Sequence, residues 1–412
     1  MSTTPSASLA SRVYLDHAAT TPVRREVAEQ VTADLRGHLG GWANPAAQHA
    51  SGRRAGAVLA EARARLAAAL DVDPHEVLFT SGGTQADALA VAGRVLAARA
   101  TGTDRPRVVT SSIEHPAVLD SARTAVAHLG AEHVEVGADD AGLVDQADLR
   151  EAVAEPSTAL VSVMTANNET GVVQDMAGLV EAVREASGAR RPADPGYVPV
   201  HSDAVAALGK VPVRPRDWGL DAMTVTGHKI GAPIGVGALI ARRDLTLVAP
   251  TGGGRQERGL RSGTQDTIGA RALALAVELA VAEQAEESGR LEALRGRVLE
   301  GATRLPGVHA TLPEGTAHVA STAHLWFEDC DTEALLMALD MAGIDASAGS
   351  ACHAGVARPS HVLLAMGLGE GPARSTLRCS MGRSTSADDV ERLLAALPSA
   401  LETARKVHAA NR

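Results

Sequence analysis

Short apolar runs alternate along the chain with longer stretches in which Ala, Leu and Val recur at helical spacing. The runs at 76–80 (EVLFT), 107–110 (RVVT), 160–164 (LVSVM), 198–202 (VPVHS), Ala222–Thr226 (AMTVT) and Gly237–Ala241 (GALIA) are bounded by Gly or polar turns and predict strands. Between them, residues 50–70, 85–100, 119–129 and 177–186 predict helices. Apolar strands alternating with helices imply βα units around a mostly parallel sheet buried on both faces. The stretch 187–199 (SGARRPADPGYVP) breaks the rhythm with Pro, Gly and charge, and predicts a surface loop. A long Ala/Leu/Glu helix is expected from Thr267 through Glu286, followed by a smaller α+β unit with strands at 323–327 and Thr376–Ser380.

A chain of 412 residues exceeds the size at which one core keeps growing, which predicts two domains. The expected division is a large domain at 17–266 and a small one built from 1–16 and 267–412. Aromatic residues make up only 2% of the chain, so its core must be assembled from Ala, Val and Leu. The formal net charge is −10 and no segment gathers Lys and Arg into a block, which argues against nucleic-acid or anionic-membrane binding. No apolar run reaches the roughly 18 residues of a membrane span. Residues 1–11 lack a basic start followed by an apolar stretch, and predict a frayed tail rather than a signal peptide. Cys330, Cys352 and Cys379 lie far apart with no CxxC pair. That spacing argues against a disulfide framework or zinc knuckle and fits a soluble chain in a reducing cytoplasm.

Lysine usage narrows the chemistry. The only lysines are Lys210, Lys229 and Lys406. Lys406 belongs to the C-terminal tail and Lys210 to a turn before Val211-Pro212. Lys229 follows a strand in the phrase TVTGHK and enters a Gly-rich turn (IGAPIGVG), where α/β sheets place ligands. A lysine amine becomes a nucleophile when partial burial lowers its pKa; a surface lysine in a turn is the plain alternative. Asp203 ends the strand at 198–202, where a carboxylate suits a pyridine nitrogen or simply caps a helix. Ser81-Gly82-Gly83-Thr84 joins a strand to a helix; its backbone can approach a phosphate, and it also makes a good cap. His115, after RVVT and a Ser-Ser turn, could stack on a ring or merely be solvated.

Cys352 sits in 346–360 (ASAGSACHAGVARPS), small residues with little to pack, which predicts a mobile loop able to carry a thiol to and fro. Cys330 and Cys379, beside or within apolar strands, read as core thiols. Arg378 in LRCS could fork a carboxylate or serve a structural ion pair.

Taken together, YLDHAATTP (14–22), TANNETGVVQD (165–175), TGHKIGAPIGVGAL (226–239), GGRQERGLRSGT (253–264) and AGSAC (348–352) resemble the cysteine desulfurase (NifS/IscS) family, within the class V aminotransferase group of fold-type I pyridoxal-phosphate enzymes. The resemblance covers nearly the whole chain. It implies a large domain with a mostly parallel seven-stranded sheet, a smaller α+β domain carrying the cysteine loop, and pyridoxal phosphate as cofactor. Carried over by motif, Lys229 would bind the cofactor covalently and shuttle the Cα proton, His115 would stack on its ring, and Asp203 would pair with the ring nitrogen. Gly83, Thr84, Thr226 and His228 would hold the phosphate, with Asn168 near the ring oxygen and substrate. Arg378 would bind the carboxylate of L-cysteine, and Cys352 would take its sulfur as a persulfide, leaving alanine. Thr264 would reach the phosphate of a second subunit, implying a homodimer. The loop length resembles members that deliver persulfide to an iron–sulfur scaffold, a tRNA-thiolation acceptor or a pathway-specific carrier.

Two departures stand out. The family usually has Gln three residues after the ring-nitrogen Asp, where this chain has Ala206, and Glu-Ser/Ala-Asn-Asn after the phosphate-loop Thr, where it has Gln85-Ala86-Asp87-Ala88. The rival readings are a selenocysteine or cysteine-sulfinate lyase, another C–S β-elimination enzyme, or a non-catalytic scaffold of the same fold.

Overall fold

The computed structural model describes residues 12–37, 43–349 and 359–411. After a two-residue strand β1 (Val13–Tyr14), seven strands build the main sheet: β2 (Val77–Thr80), β3 (Arg107–Ser111), β4 (Glu132–Val136), β5 (Thr158–Ser162), β6 (Val200–Asp203), β7 (Ala222–Thr226) and β8 (Gly237–Ala241). Their order across the sheet is β2-β8-β7-β6-β5-β3-β4. β4, β3, β5, β6 and β7 pair in parallel, and β8 runs antiparallel between β7 and β2. Every residue of β2, β5, β6, β7 and β8 is buried, as expected of strands covered by helices on both faces, although β6 (VHSD) is mostly polar and buries His201, Ser202 and Asp203.

The differences from the sequence expectation have physical causes. β4 was not anticipated: its EHVEV pattern is polar and it lies at the sheet edge, paired only with β3 and mostly half-buried. β5 begins two residues before the expected 160–164. Its ladder to β6 runs on past Ser162, with the Val163 and Thr165 N–H groups bonding the carbonyls of His201 and Asp203 at 3.1 and 2.9 Å. The long helix Thr267–Ala302 does not stop at Glu286. Beyond that point Ser288 bonds the Lys210 carbonyl and Arg290 the Thr385 and Gly382 carbonyls, and Leu291, Leu294 and Val298 find a second core to enter.

That helix joins two packed regions. Ala270, Leu273, Val277 and Ala280 lie in the core under the main sheet. Leu291 onward packs with β9 (Val308–Ala310), β10 (Thr322–Phe327), β12 (Thr376–Ser380) and the C-terminal helix Ala387–Ala410. β12, β10 and β9 form an antiparallel sheet in that order, and β11 (Ile344–Asp345) pairs in parallel with β1. Val13 and Leu15 thereby join the second core, although most of the chain separates them from its other members. Both cores are built chiefly from Ala, Val and Leu. Cys330 and Cys379 are buried in the second, and burial pushes both thiols up to about 12. No helix among the described residues is long and apolar enough to cross a membrane.

Candidate active site

The carboxyl ends of the parallel strands open onto one cavity of about 920 Å³. The strand order reverses between β3 and β5, and crevices at such a point are where open α/β sheets bind ligands. His115 follows β3, Asn167 and Asn168 follow β5, Asp203 ends β6, Thr226 ends β7, and Lys229 stands three residues beyond it. Arg378 enters from the second region on β12, with Ser347, Ala348 and Gly349 beside it.

Lys229 is half-buried, and its Nζ donates to the carbonyls of Ala18 and, at 2.9 Å, Ala19. Burial, reinforced by the charge of Arg378, lowers its amine to about 8. Those carbonyls come from the YLDHAATTP segment, which the Ala18 N–H and the Ser380 hydroxyl pin to β12 at 2.8 Å. Asp203 is buried, and one carboxylate oxygen accepts from the Val205 N–H at 2.8 Å. Its other oxygen has no hydrogen-bond partner among the described residues. Desolvation raises its pKa, opposed by His115 and Lys229. A cationic ring nitrogen placed here would restore the missing partner and keep the carboxylate ionised.

His115 caps the helix Pro116–Leu129, its Nδ1 accepting from the Ala117 N–H at 3.1 Å. The neutral ring therefore carries its proton on Nε2, and burial favours that neutral form. Its neighbour Glu114 is fully buried, accepts from Ser111 and, at 2.7 Å, from the Met164 N–H, and is pushed up to about 8 by desolvation. Glu114 thus secures the β3 and β5 loops without adding a charge at neutral pH.

The phosphate candidates also converge. The helix Gly83–Ala100 begins at Gly82, whose lack of a side chain leaves the first-turn N–H groups open to an anion. Gly237 permits this: a Cβ there would lie 2.8 Å from the Gly82 Cα. Gln85, in place of the usual Glu, accepts from the Ser81 N–H at 2.8 Å and closes the turn. Gly83, Thr84, Thr226 and His228 line the same wall. An amine of lowered pKa, a carboxylate with an open oxygen and an uncapped helix start match the aldehyde, ring nitrogen and phosphate of pyridoxal phosphate.

Arg378 is buried; Nη2 meets the Asp16 carboxylate at 2.8 Å and Nη1 the Asn168 carbonyl at 2.9 Å, while its buried Nε has no partner. The ion pair and the cavity position coexist, so the structural and ligand-binding readings of this residue are not exclusive. Asn167 and Asn168 both line the cavity, but the Asn167 side chain is tied into the structure, donating to the Ile113 carbonyl and accepting from the Glu169 and Thr170 N–H groups. Ala206 lines the cavity and offers no polar atom. Thr264 is exposed and lies outside this cavity, and Cys352 lies outside the described residues.

Three cavity residues escaped the sequence reading. Asp16 pairs with Arg378, and its signal lay in the YLDHAATTP phrase. Asp87 is buried with its Oδ1 unpartnered, 3.7 Å from His201 Nε2; burial and the Asp203 charge raise its pKa. Lys210 lines the cavity rather than facing solvent from its turn.

The class-V aminotransferase family profile matches residues 13–393. An IscS-like cysteine desulfurase of Mycobacterium tuberculosis is 43% identical over 395 residues, covering 95% of this chain and 97% of the relative. Cysteine desulfurase IscS of Methanosarcina thermophila is 35% identical, covering 96% and 93%. Among solved structures, a NifS-like protein superimposes with a TM-score of 0.84 at 30% identity, covering 95% of this chain and 99% of its own. SspA, solved in complex with cysteine, superimposes at 0.75 with 29% identity, covering 89% and 98%. The chain belongs to the class V aminotransferase family, among its IscS- and NifS-like cysteine desulfurases.

Proposed function

We propose that this cavity takes sulfur from L-cysteine and leaves L-alanine, with the sulfur passing to Cys352 as a persulfide. The observation that carries the reading is the Lys229 amine, lowered to about 8 and facing one cavity with Asp203, His115 and Arg378. Lys229 would hold pyridoxal phosphate through its amine and Asp203 the ring nitrogen, with His115 against the ring. Gly83, Thr84, Thr226 and His228 would hold the phosphate, and Asn168 the ring-oxygen side. When bound, the cofactor supplies an electron sink beside the substrate Cα. Arg378 anchors the α-carboxylate, and Asp16 and the Asn168 carbonyl keep its guanidinium in place. The Lys229 amine would move the proton at Cα. The Cys352 thiolate forms a bond to the substrate sulfur, the Cβ–S bond breaks, and Cβ and Cα are left protonated as alanine.

Gly349, three positions before Cys352 in the sequence, lines the cavity, which supports this role for Cys352. The two other thiols are buried and unreactive. The large domain, 17–266, would carry the cofactor, and 1–16 with 267–412 the cysteine loop; Val13 and Leu15 in the second core support that grouping. A homodimer with Thr264 reaching the other subunit's phosphate accords with the exposure of Thr264 outside its own cavity, and the same reading places the protein in the cytoplasm. The persulfide would then pass to an acceptor protein, an iron–sulfur scaffold, a tRNA-thiolation carrier or a dedicated pathway carrier.

The test is alanine formation from L-cysteine by the cofactor-loaded protein. Cys352→Ser is expected to keep the cofactor and lose sulfide release; a mutant that desulfurates at the wild-type rate overturns the reading.

A further inference from the structure

We propose that His361 is a further catalytic residue of this site, a base whose Nδ1 takes the thiol proton of L-cysteine as the sulfur departs and passes it to Cβ. The inference rests on the desulfurase reading above. The His361 Nε2 lies 3.0 Å from the Glu114 carbonyl, which can only accept, so that nitrogen carries a proton. The neutral ring therefore keeps its lone pair on Nδ1. That atom has no hydrogen-bond partner among the described residues, is not enclosed as a buried atom, and belongs to a residue lining the cavity. The chain on either side holds the ring in place. Ser360 caps the short helix His361–Ala365 by accepting from the Leu363 N–H at 3.2 Å, and its hydroxyl donates to Glu169 Oε2 at 2.6 Å. Val362 and Leu363 are buried in one cluster with Ile113, the residue before Glu114.

The surroundings of His361 assign it to the sulfur rather than to the cofactor. Gly349 and Pro359, which flank the stretch containing Cys352 in the sequence, both line the cavity. They converge at Glu169: a Cβ on Gly349 would lie 3.6 Å from the Glu169 Cβ, and Ser360, next after Pro359, bonds the Glu169 carboxylate. Burial favours the neutral Glu169 carboxyl, whereas positive charge on His361 and Arg378 favours the carboxylate, so a proton reaching the ring meets a counter-charge. Two other described histidines line the cavity. His115 has committed its Nδ1 to the Ala117 N–H and presents an N–H, a donor and not a base. His228 meets the Thr20 hydroxyl through Nδ1 at 3.4 Å and belongs to the phosphate wall. The carbonyl that orients His361 comes from the residue before His115, so the two rings are neighbours of opposite hydrogen-bond polarity. In the step, a bond forms between the Cys352 thiolate and the substrate sulfur while the Cβ–S bond breaks with its electron pair on Cβ. The S–H pair stays on the transferred sulfur, and the proton moves to His361 Nδ1 and then to Cβ. Carbon is reduced to a methyl group as the two sulfurs are oxidised to a persulfide anion, and the imidazole is regenerated.

The experiment compares two reactions of the cofactor-loaded, full-length chain. One is alanine formation from L-cysteine in a single turnover. The other is exchange of the Cα hydrogen of L-alanine with heavy water, which needs the cofactor lysine and the carboxylate anchor but no sulfur. His361→Gln can still donate to the Glu114 carbonyl through its amide and has no basic nitrogen. It is expected to slow alanine formation about 100-fold while keeping the rate of Cα exchange. His361→Asn, shorter and likewise without a base, is expected to give the same split. Alanine formation at the wild-type rate in either variant overturns the proposal. So does an equal loss of both reactions in both variants, which would make the ring a structural strut. A wild-type protein that exchanges the Cα hydrogen but forms no alanine from L-cysteine overturns the desulfurase reading itself.

Discussion

Ser347 and Arg378 exchange both backbone hydrogen bonds, at 2.6 and 3.3 Å. The strand that aims the guanidinium therefore also anchors the segment leading to Cys352, five residues further on. On the proposed reading, carboxylate binding and delivery of the thiol would share one support. Arg378→Lys keeps the charge but loses the fork that spans Asp16 and the Asn168 carbonyl. Charge-assisted hydrogen bonds of this kind contribute about 1.5–3 kcal/mol, so kcat/KM for L-cysteine is expected to fall about 10- to 100-fold, mostly through KM. Steady-state alanine formation measures the split.

Asp203→Asn preserves shape and removes the charge that would face a cationic ring nitrogen. The Val205 N–H keeps an acceptor in the amide oxygen, so the turn should hold. The cofactor is expected to remain covalently attached, with kcat lower by at least about tenfold. Cofactor absorbance and turnover, measured on the same sample, separate loss of binding from loss of chemistry.

Ala206→Gln restores the usual family residue at a cavity-lining position. One added hydrogen bond is worth about 1 kcal/mol, so cofactor release should slow about fivefold. Dialysis against a scavenger of free pyridoxal phosphate gives the rate; an unchanged rate would show that the new side chain finds no partner there.

Glu257 holds the RQERGLRSGT segment in place. Its carboxylate is fully buried and accepts from Arg63 at 2.7 and 2.9 Å, from the Phe79 N–H at 2.9 Å and from Gln265 at 2.9 Å. Arg255, Glu257 and Arg258 all adopt positive φ, a conformation that non-glycine residues keep only when their surroundings enforce it. Glu257→Ala strands Arg63 and the Phe79 N–H, and is expected to cost about 3–5 kcal/mol, read as a lower urea midpoint.

His201 is buried on β6 between the Ser162 hydroxyl at 2.8 Å and the Thr224 hydroxyl at 3.0 Å, and desolvation lowers it to about 3. Between that value and its unfolded value near 6.5, the unfolded chain binds a proton that the folded one refuses. Its contribution is therefore complete above about pH 6.5 and is lost as pH falls below it. His324, also lowered to about 3, adds to the same slope. Unfolding midpoints between pH 4 and 7 should show this loss, and His201→Gln should flatten it.

How much of this was legible in the sequence depended on where the determining contacts lie. Ala222–Thr226 and Gly237–Ala241 were readable to the residue, because strands buried on both faces are unbroken apolar runs. Glu132–Val136 was not, since a half-buried edge strand carries no such run. The cofactor candidates Lys229, Asp203, His115 and Thr84 could be named because each sits within a local phrase at a strand end. Lys210 could not. Nothing near it in the sequence shows that Gln284 and Ser288, more than seventy residues later, clamp its turn against the cavity. The pairing of Asp16 with Arg378 was hidden likewise, because the two lie 362 residues apart.

The most direct test of the central claim is to supply L-cysteine labelled in its sulfur to the cofactor-loaded protein without an acceptor, then locate the protein-bound label by peptide mapping. Label on the peptide containing Cys352, in amounts matching the alanine formed in the first turnover, is the expected result. Alanine formed with no bound sulfur at Cys352, or with the label on Cys330 or Cys379, would contradict it.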